Sequence, residues 1–571
     1  MESVRQLPLS HPGTADIRSS SSFLWWLVRG QLRTILGGMA YGVVWMTCLA
    51  VMPAFIGKAI DEGVAAKDTS RLVVWALVMF GVGVLQAFTG IMRHRFAVTN
   101  WLTAAYRTVQ LVTRHTVHLG ATLPTKVATG EVVAIGTNDL SHLGNAMDVT
   151  ARAAGSVVSF LVVAVILLRT SSTLGLVVLI GVPLLLVVLG PLLKPLQRRT
   201  LAQREMMGQL SNLATDIVSG LRILRGIGGE RVFHDRYVGE SQKVRRAGVE
   251  VGRLQSLLDS LQIFLPGVFV VAVVWLGARF ALDGTISPGE LVAFYGYASF
   301  LVIPLRTATE FAQKWIRAFV AARRVVRVLS LTSNIAEPTV AFEEPPVGAE
   351  LVDVTSGVRV PGGALTAIVS EEPEESARLA DRLGRYADGE VRWGEVPLAG
   401  LPRSVVRRRV LVSDTDSTLF SGPLRDSLDP HGRGRVDEGM RATSSEDILD
   451  ALPDGLDAQV TERGRSFSGG QRQRLVLTRA LVEDPEVLVL VEPTSAVDAH
   501  TEARIADRLR ASRAGRTTVV TTTSPLMLDR VDHVAFLVRG VVVAFGRHRD
   551  LLANSPEYRA VVTREVTEVG R

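Results

Sequence analysis

Lysine is nearly missing from the second half of the chain: of 63 basic residues among 571, six are lysine, and the last is Lys314. Chemistry that requires a lysine ammonium is thereby excluded from everything that follows. Cysteine is scarcer still. The single Cys48 excludes an intramolecular disulfide framework and a Cys-rich metal centre. Charge is thin as well, 21% of residues against 47% hydrophobic, which excludes a disordered or collagen-like chain and favours membrane insertion. The net charge of +7 does not point to nucleic acid, because the basic residues are interleaved with acids and many flank apolar runs. A length of 571 residues allows three or four domains at about 100–200 residues each.

What is present first is a series of uncharged runs, residues 34–57, 72–92, 153–168, 170–193, 260–278 and 291–305. A spanning helix needs roughly 20 apolar residues, so the shorter runs borrow from their flanks, with Arg152 and Arg169 snorkelling beside 153–168. Six spans are expected. Residues 1–22 are polar and the apolar run 23–28 is too short for a signal-peptide core, so no cleaved signal is expected. With Trp25 and Trp26 beside Arg29 and Arg33, that run reads as an interfacial helix lying on the bilayer.

Orientation follows from the basic residues near the spans. Between Pro195 and Arg246 there are ten Lys or Arg against five Asp or Glu, and between Arg93 and Asp148 five against three. Both linkers, and both termini, are therefore expected on the cytoplasmic side of a cytoplasmic membrane. The bias of Arg over Lys suggests a GC-rich bacterial source. Each long linker has helical spacing of Leu, Val and Ala, and predicts helices running roughly 40 Å out of the membrane and back to touch a cytosolic domain. Asp259, Arg306 and Glu310 lie at span edges. Arg306 and Glu310, four apart, share a helix face, and all three are candidates for a substrate path. Phe294, Tyr297 and Phe300 face either a cavity or lipid, and Gly37 and Gly38 allow close helix contact.

Composition shifts after Lys314. The expected division is 1–33, tail and interfacial helix; 34–330, membrane domain with two long cytoplasmic loops; 331–348, a linker marked by Pro338 and Pro345-Pro346; and 349–571, a soluble α/β domain. Short Val/Ile/Leu strands at 365–369, 487–491 and 517–521 alternate there with helical stretches. The strongest signal is Ser466-Phe467-Ser468-Gly469-Gly470-Gln471-Arg472-Gln473-Arg474 opening a helix. A hydroxyl and two glycines at a helix N-terminus gather backbone N–H groups at the positive end of the dipole, an anion site. About a dozen residues on, a buried strand ends at Glu492, followed by Pro493-Thr494-Ser495-Ala496-Val497-Asp498.

This block resembles the signature, Walker B and D-loop of ATP-binding cassette (ABC) transporters. The membrane half is similar to the exporter-type half-transporter, six spans followed by one cassette. Thr129-Gly130-Glu131, Thr137-Asn138-Asp139 and Gly220-Leu221-Arg222-Ile223 look like that family's intracellular loops, and Thr461-Glu462-Arg463-Gly464 like the loop that contacts them. The resemblance covers nearly the whole chain. It implies an α-helical polytopic membrane domain followed by an α/β P-loop-NTPase-like cassette, with ATP and Mg²⁺ as cofactors.

Several stations of that family are missing. The phosphate loop G-x-x-x-x-G-K-[ST] reads Ser370-Glu371-Glu372-Pro373-Glu374-Glu375-Ser376-Ala377: its last glycine is Glu375, its lysine Ser376 and its Mg-binding hydroxyl Ala377. No realignment supplies the lysine, since the cassette has none. Each of the four carboxylates, at about 6 Å from a phosphate charge, would cost roughly 2–3 kcal/mol at an effective dielectric of about 20. The Walker B aspartate is Val491, the switch histidine is Thr523, and the Q-loop glutamine is Asp414. Between Leu351 and Gly363 there is no Tyr, Phe or Trp to stack on adenine. Glu492 stands at the general-base position, but a carboxylate there polarises water only beside held Mg²⁺ and γ-phosphate, so it reads as vestigial.

A chain with the signature and without the phosphate loop implies a heterodimer. A second half-transporter would supply Walker A, Walker B, the switch histidine and the bound Mg-ATP, while Ser468, Gly469, Gly470 and Gln471, with Asp498 of the D-loop, close over it. This chain alone is then inactive. The expected activity is export of a hydrophobic or amphipathic small molecule across the bilayer. The alternatives are an exporter-shaped importer of siderophores or other metabolites, and a non-transporting scaffold or regulatory subunit.

Overall fold

The uncharged runs become long helices. A computed structural model describes residues 11–170, 172–415 and 418–563. The chain divides into two units, Met1–His118 with Lys126–Leu331, and Leu119–Thr125 with Thr332–Arg571. In the first unit, Ser19 caps α1 (Ser20–Gly30) by accepting from the Ser22 N–H at 3.0 Å. Phe23, Leu24 and Leu27 on one face of α1 are buried, while Trp25 is exposed. There follow α2 (Leu32–Lys58), α3 (Thr69–Leu119), α4 (Leu140–Thr170), α5 (Ser172–Ser219), α6 (Glu230–Leu282), α7 (Pro288–Phe300) and α8 (Val302–Leu329).

Among the described residues five helices are long and apolar enough to cross a membrane: Leu32–Ala65, Thr69–Leu119, Gly130–Thr170, Glu230–Leu282 and Pro288–Leu329. The remaining expected run, 170–193, falls on α5, where position 171 and many side chains lie outside the described residues. At 1.5 Å per residue the 51 residues of α3 reach about 75 Å, more than twice a hydrocarbon core of about 30 Å. The expected long helical extensions are thus present, joined by short helices at Thr122–Lys126 and Thr129–Ala134 and, in the second loop, at Leu221–Ile227.

Backbones touch where α2 crosses α4. A Cβ at Gly42 would collide with the Ala151 carbonyl, and one at Gly155 with the Gly42 carbonyl. The closest crossing therefore lies one turn beyond the expected Gly37 and Gly38, which instead pack under the Phe96 side chain of α3. Phe294, Tyr297 and Phe300 line neither lipid nor cavity; they are buried in a cluster with Met46, Ala50, Val163 and Leu167.

The second unit holds strands β1 (Leu351–Asp353), β2 (Val358–Val360), β3 (Leu365–Ser370), β4 (Val391–Trp393), β5 (Val396–Pro397), β6 (Val410–Ser413), β7 (Gly422–Pro423), β8 (Gln459–Val460), β9 (Val487–Val491), β10 (Thr517–Thr521), β11 (His533–Val538) and β12 (Val541–Gly546). The six-stranded sheet runs β12-β11-β3-β10-β9-β6, with β12 antiparallel at one edge and the rest parallel. Strands β3, β9 and β10 are buried at every position, as expected where helices cover both faces of a parallel sheet. A smaller antiparallel sheet runs β2-β1-β4-β5. Asp353 at the end of β1, fully buried, takes two hydrogen bonds from Arg382 of α9 (Pro373–Leu383), at 2.8 and 3.1 Å, and so ties this sheet to that helix.

Candidate functional site: the phosphate-loop end and the signature helix

Parallel strands deliver their C-terminal ends to one edge, where ligands of open α/β sheets bind. Register places Ser413 beside Leu490, Val491 beside Thr521 and Thr521 beside Ile368. Asp414, Glu492, Thr523 and the loop after Ser370 therefore emerge side by side, as the sequence pattern requires.

The loop after β3 is short. Helix α9 begins at Pro373, so Glu371 and Glu372 alone separate it from the strand. Pro373 has no N–H to offer. The Glu372 N–H donates to Ser370 Oγ at 3.2 Å and the Glu375 N–H to the Glu372 carbonyl at 3.0 Å. Ser370 Oγ in turn donates to Glu375 Oε2 at 2.8 Å. Glu374 and Glu375 occupy the first turn of α9, where the helix dipole favours a negative group. The positive end of this helix thus faces carboxylates of its own chain. Ser376 is buried and Ala377 packs against the core, so neither reaches toward the loop mouth.

Val491 is buried in the same core as β3. Glu492, next in line, adopts a left-handed backbone (φ 46°), uncommon for a residue with a side chain, and its N–H is held by the Thr521 carbonyl at 3.0 Å. Asp414 is exposed and accepts from the Thr415 hydroxyl at 3.1 Å. Burial, with Asp414 nearby, raises the Asp381 carboxyl above its usual range.

Helix α10 (Gly469–Glu483) opens on a capping box. Ser468 Oγ accepts from the Gln471 N–H at 3.2 Å, and the Gln471 side chain accepts from the Ser468 N–H at 2.9 Å. The two glycines differ. A Cβ at Gly470 would press on the Ala496 carbonyl, whereas one at exposed Gly469 would meet only the Ala496 Cβ, at an ordinary contact distance of 4.0 Å. Asp498 caps α11 (Ala499–Ser512) by accepting from the Thr501 N–H at 2.9 Å, and that bond holds its carboxyl below the usual range. Sequence reasoning missed Gln473. Its Nε2 donates to the Glu492 carbonyl at 2.7 Å and to Ser495 Oγ at 3.0 Å, and its Oε1 accepts from the Ala496 N–H at 2.8 Å. One side chain links the signature helix, the end of β9 and the D-loop.

In the membrane unit Arg306 and Glu310, though four apart on one helix, do not pair. Arg306 is exposed and makes no ion pair among the described residues; Asp259 is exposed and accepts from Gln255 at 2.8 Å. Glu310 joins a closed ring instead: Arg152 at 2.9 Å, Lys314 at 2.8 Å, and Asp148, which bonds Lys314 at 3.4 Å and Arg152 at 3.3 Å. Arg152 therefore does not snorkel, because two carboxylates hold it between α4 and α8. The i,i+4 spacings Asp148/Arg152 and Glu310/Lys314 were visible in sequence; the pairing across helices was not.

Comparison with known proteins gives two family matches, the ABC transporter transmembrane region over residues 42–305 and the ABC transporter cassette over residues 378–495. This chain is an ABC transporter polypeptide, a helical transmembrane domain followed by a nucleotide-binding domain. More narrowly, its fold is of the exporter type, one membrane domain followed by one cassette. It is 24% identical over 533 residues to the uncharacterized ABC transporter ATP-binding protein YfiC of Bacillus subtilis (strain 168), covering 89% of this chain and 87% of that one. It is 26% identical over 581 residues to a multidrug efflux ATP-binding/permease protein of Mycobacterium bovis (strain BCG / Pasteur 1173P2), covering 94% of this chain and 47% of that protein. Its fold matches a bacterial Atm1-family ABC exporter solved with ATP bound, at a TM-score of 0.77 and 20% identity, over 95% of this chain and 99% of that one. ABC cassettes in general bind ATP and Mg²⁺.

Proposed function

We propose that this chain is the non-hydrolysing half of a heterodimeric ABC exporter for a hydrophobic or amphipathic small molecule. The observation that carries the reading is the contrast between two helix N-termini of one cassette. At α9 the first turn carries Glu374 and Glu375, the latter bonded back to Ser370, beside a proline that lacks an N–H. At α10 the capping box is intact and Gly469 faces outward. The residues at α9 do not fit a nucleotide: Ser376 stands where a lysine is needed, Ala377 where the Mg-binding hydroxyl is needed, and Val491 where the aspartate is needed.

The partner half-transporter would hold Mg-ATP with its own Walker A, Walker B and switch histidine. Ser468, Gly469, Gly470 and Gln471 would close over the γ-phosphate, with Asp498 beside them, and Glu492 would do no chemistry. Two further observations favour a second subunit. The multidrug efflux relative is about twice this chain's length, so one such half aligns with about half of it. The tip of the second cytoplasmic loop also exposes Val218, Ile223 and Ile227, an apolar surface suited to a protein partner. The domain limits expected from sequence, 34–330 for the membrane part and 349–571 for the cassette, with cytosolic termini in a bacterial cytoplasmic membrane, belong to the same reading.

Affinity purification of the tagged chain from its host membrane tests it. A second cassette protein with a phosphate-loop lysine should co-purify, and Ser468→Ala should lower the ATPase of the complex about 10–100-fold, the value of one charge-assisted hydrogen bond. A homodimer of this chain with normal turnover would refute the proposal.

A further inference from the structure

Charged residues of α8 meet those of α4, and of the segment leading into α4, as the rungs of an antiparallel ladder. Glu310 and Lys314 face Arg152 and Asp148, Arg324 faces Asp139, and Arg327 faces Glu131. The first of these rungs is the closed ring, in which every charge has two partners. The next, fourteen residues along α8 from Glu310, is incomplete. Arg324 Nη2 donates to Asp139 Oδ1 at 2.6 Å, but Arg324 Nε and Asp139 Oδ2 are both buried and, among the described residues, have no hydrogen-bond partner. Those are the two atoms that a side-on guanidinium–carboxylate fork would join. The same chain shows that fork complete where Arg382 Nε and Nη2 bond the two oxygens of Asp353, at 3.1 and 2.8 Å. Native proteins satisfy nearly all buried polar atoms, so a donor and an acceptor left open within one pair call for a second arrangement that joins them.

We propose that Asp139 and Arg324 form a latch with two positions, singly bonded in this conformation and doubly bonded when α8 tilts about the ring as its fulcrum. Asp139 is 1% exposed and ends a π-helical turn, Ile135–Asp139, that runs directly into α4. Such turns hold one residue more than an α-helical turn and often mark functional sites. The fourteen residues from Glu310 to Arg324 span about 21 Å, so a tilt of about 3° carries Arg324 about 1 Å. About 1 Å separates a hydrogen bond from a missed one. Packed interfaces switch between discrete arrangements rather than deform continuously, so the second bond defines a second position of α8. Asp139 and Arg324 are thus positioning residues. The use of the latch rests on the proposed exporter function, in which α8 alternates between two positions as ATP closes the cassettes; its existence does not.

The test places one trifluoromethyl reporter on Val320→Cys, exposed on α8 one turn before Arg324, in the full chain with Cys48→Ala in nanodiscs, read by ¹⁹F NMR. Two resonances are expected. Arg324→Lys keeps the cation and loses the fork, and Asp139→Asn keeps one acceptor and loses the other. Each should reduce the second resonance about tenfold or more, as for one charge-assisted hydrogen bond. Arg323→Lys, at an exposed position outside the ladder, should keep both. A single resonance in the parent, or two that persist in either Arg324→Lys or Asp139→Asn, overturns the latch. In the co-purified complex, Mg-ATP with vanadate should change the ratio of the two resonances by about threefold or more. An unchanged ratio in a complex that hydrolyses ATP overturns the use of the latch in transport. A complex without ATPase overturns the exporter reading instead, and the two resonances still decide the latch.

Discussion

Gln473 of the signature helix donates its side-chain N–H to the main-chain carbonyl of Glu492, 2.7 Å away, while its other end receives the Ala496 N–H. The D-loop is thereby fixed to the helix whose N-terminus carries Ser468. Gln473→Ala removes these bonds, each worth about 1 kcal/mol. Steady-state ATPase of the intact complex should fall about tenfold or more, with co-purification of the partner unchanged. Gln473→Glu, which keeps the acceptor for Ala496 and loses the donor to Glu492, should fall between. Unchanged turnover in Gln473→Ala would mean that the D-loop is held by other groups.

The ring of Arg152, Glu310, Lys314 and Asp148 is internally neutral, and each charge has one partner on its own helix and one across the seam. Removing Arg152 leaves two carboxylates, Asp148 and Glu310, each short of one partner in a partly desolvated place. Arg152→Met should lower the thermal stability of the detergent-solubilised chain by about 1–2 kcal/mol, below the range for fully buried pairs because these side chains keep roughly a quarter to a third of their exposure. Arg152→Met with Glu310→Met should recover much of that loss. Additive losses in the double variant would show that the pair is not coupled.

Asp353 gives a pH dependence. Burial alone would raise its carboxyl, but the bonds from Arg382 and Ser356 outweigh it and hold the group below its ordinary 3.8. A carboxylate whose value is depressed by folding adds stability that is present above 3.8 and is lost as pH falls through the folded-state value. Asp353→Asn should destabilise the chain at neutral pH. The gap from the parent, followed by circular dichroism during acid titration, should narrow as pH drops below 3.8. A gap independent of pH would point to packing rather than charge.

Lysine restored at Ser376 should not revive this chain's own site. Val491 and Thr523 would still offer no metal ligand and no switch histidine, and Glu375 would still bond Ser370. The ATPase of a complex carrying Ser376→Lys should match the parent. A new, robust turnover that survives inactivation of the partner's site would refute this.

Much of this was legible in the residues. Apolar runs give spans because lipid demands internally bonded helices, and β9 and β10 fall on 487–491 and 517–521 because a strand buried on both faces reads as a continuous Val/Leu/Thr run. The Ser468 motif marks its helix start because a capping box is local chemistry. Tertiary pairing was not legible. Glu310 prefers Arg152, 158 positions away, to Arg306 on its own helix, since the crossing of α4 and α8 decides which charges meet. Tyr297 and its neighbours are core for the same reason: periodicity gives a face, not what covers it. The back-bond from Ser370 to Glu375 follows from the turn geometry between β3 and α9, which composition does not encode.

Calorimetric titration of the purified full chain, without partner, with Mg-ATP tests the central claim most directly. Saturable binding tighter than about 1 mM should be absent, because the loop after Ser370 already holds its own carboxylate. Micromolar binding accompanied by hydrolysis in the isolated chain would contradict the account.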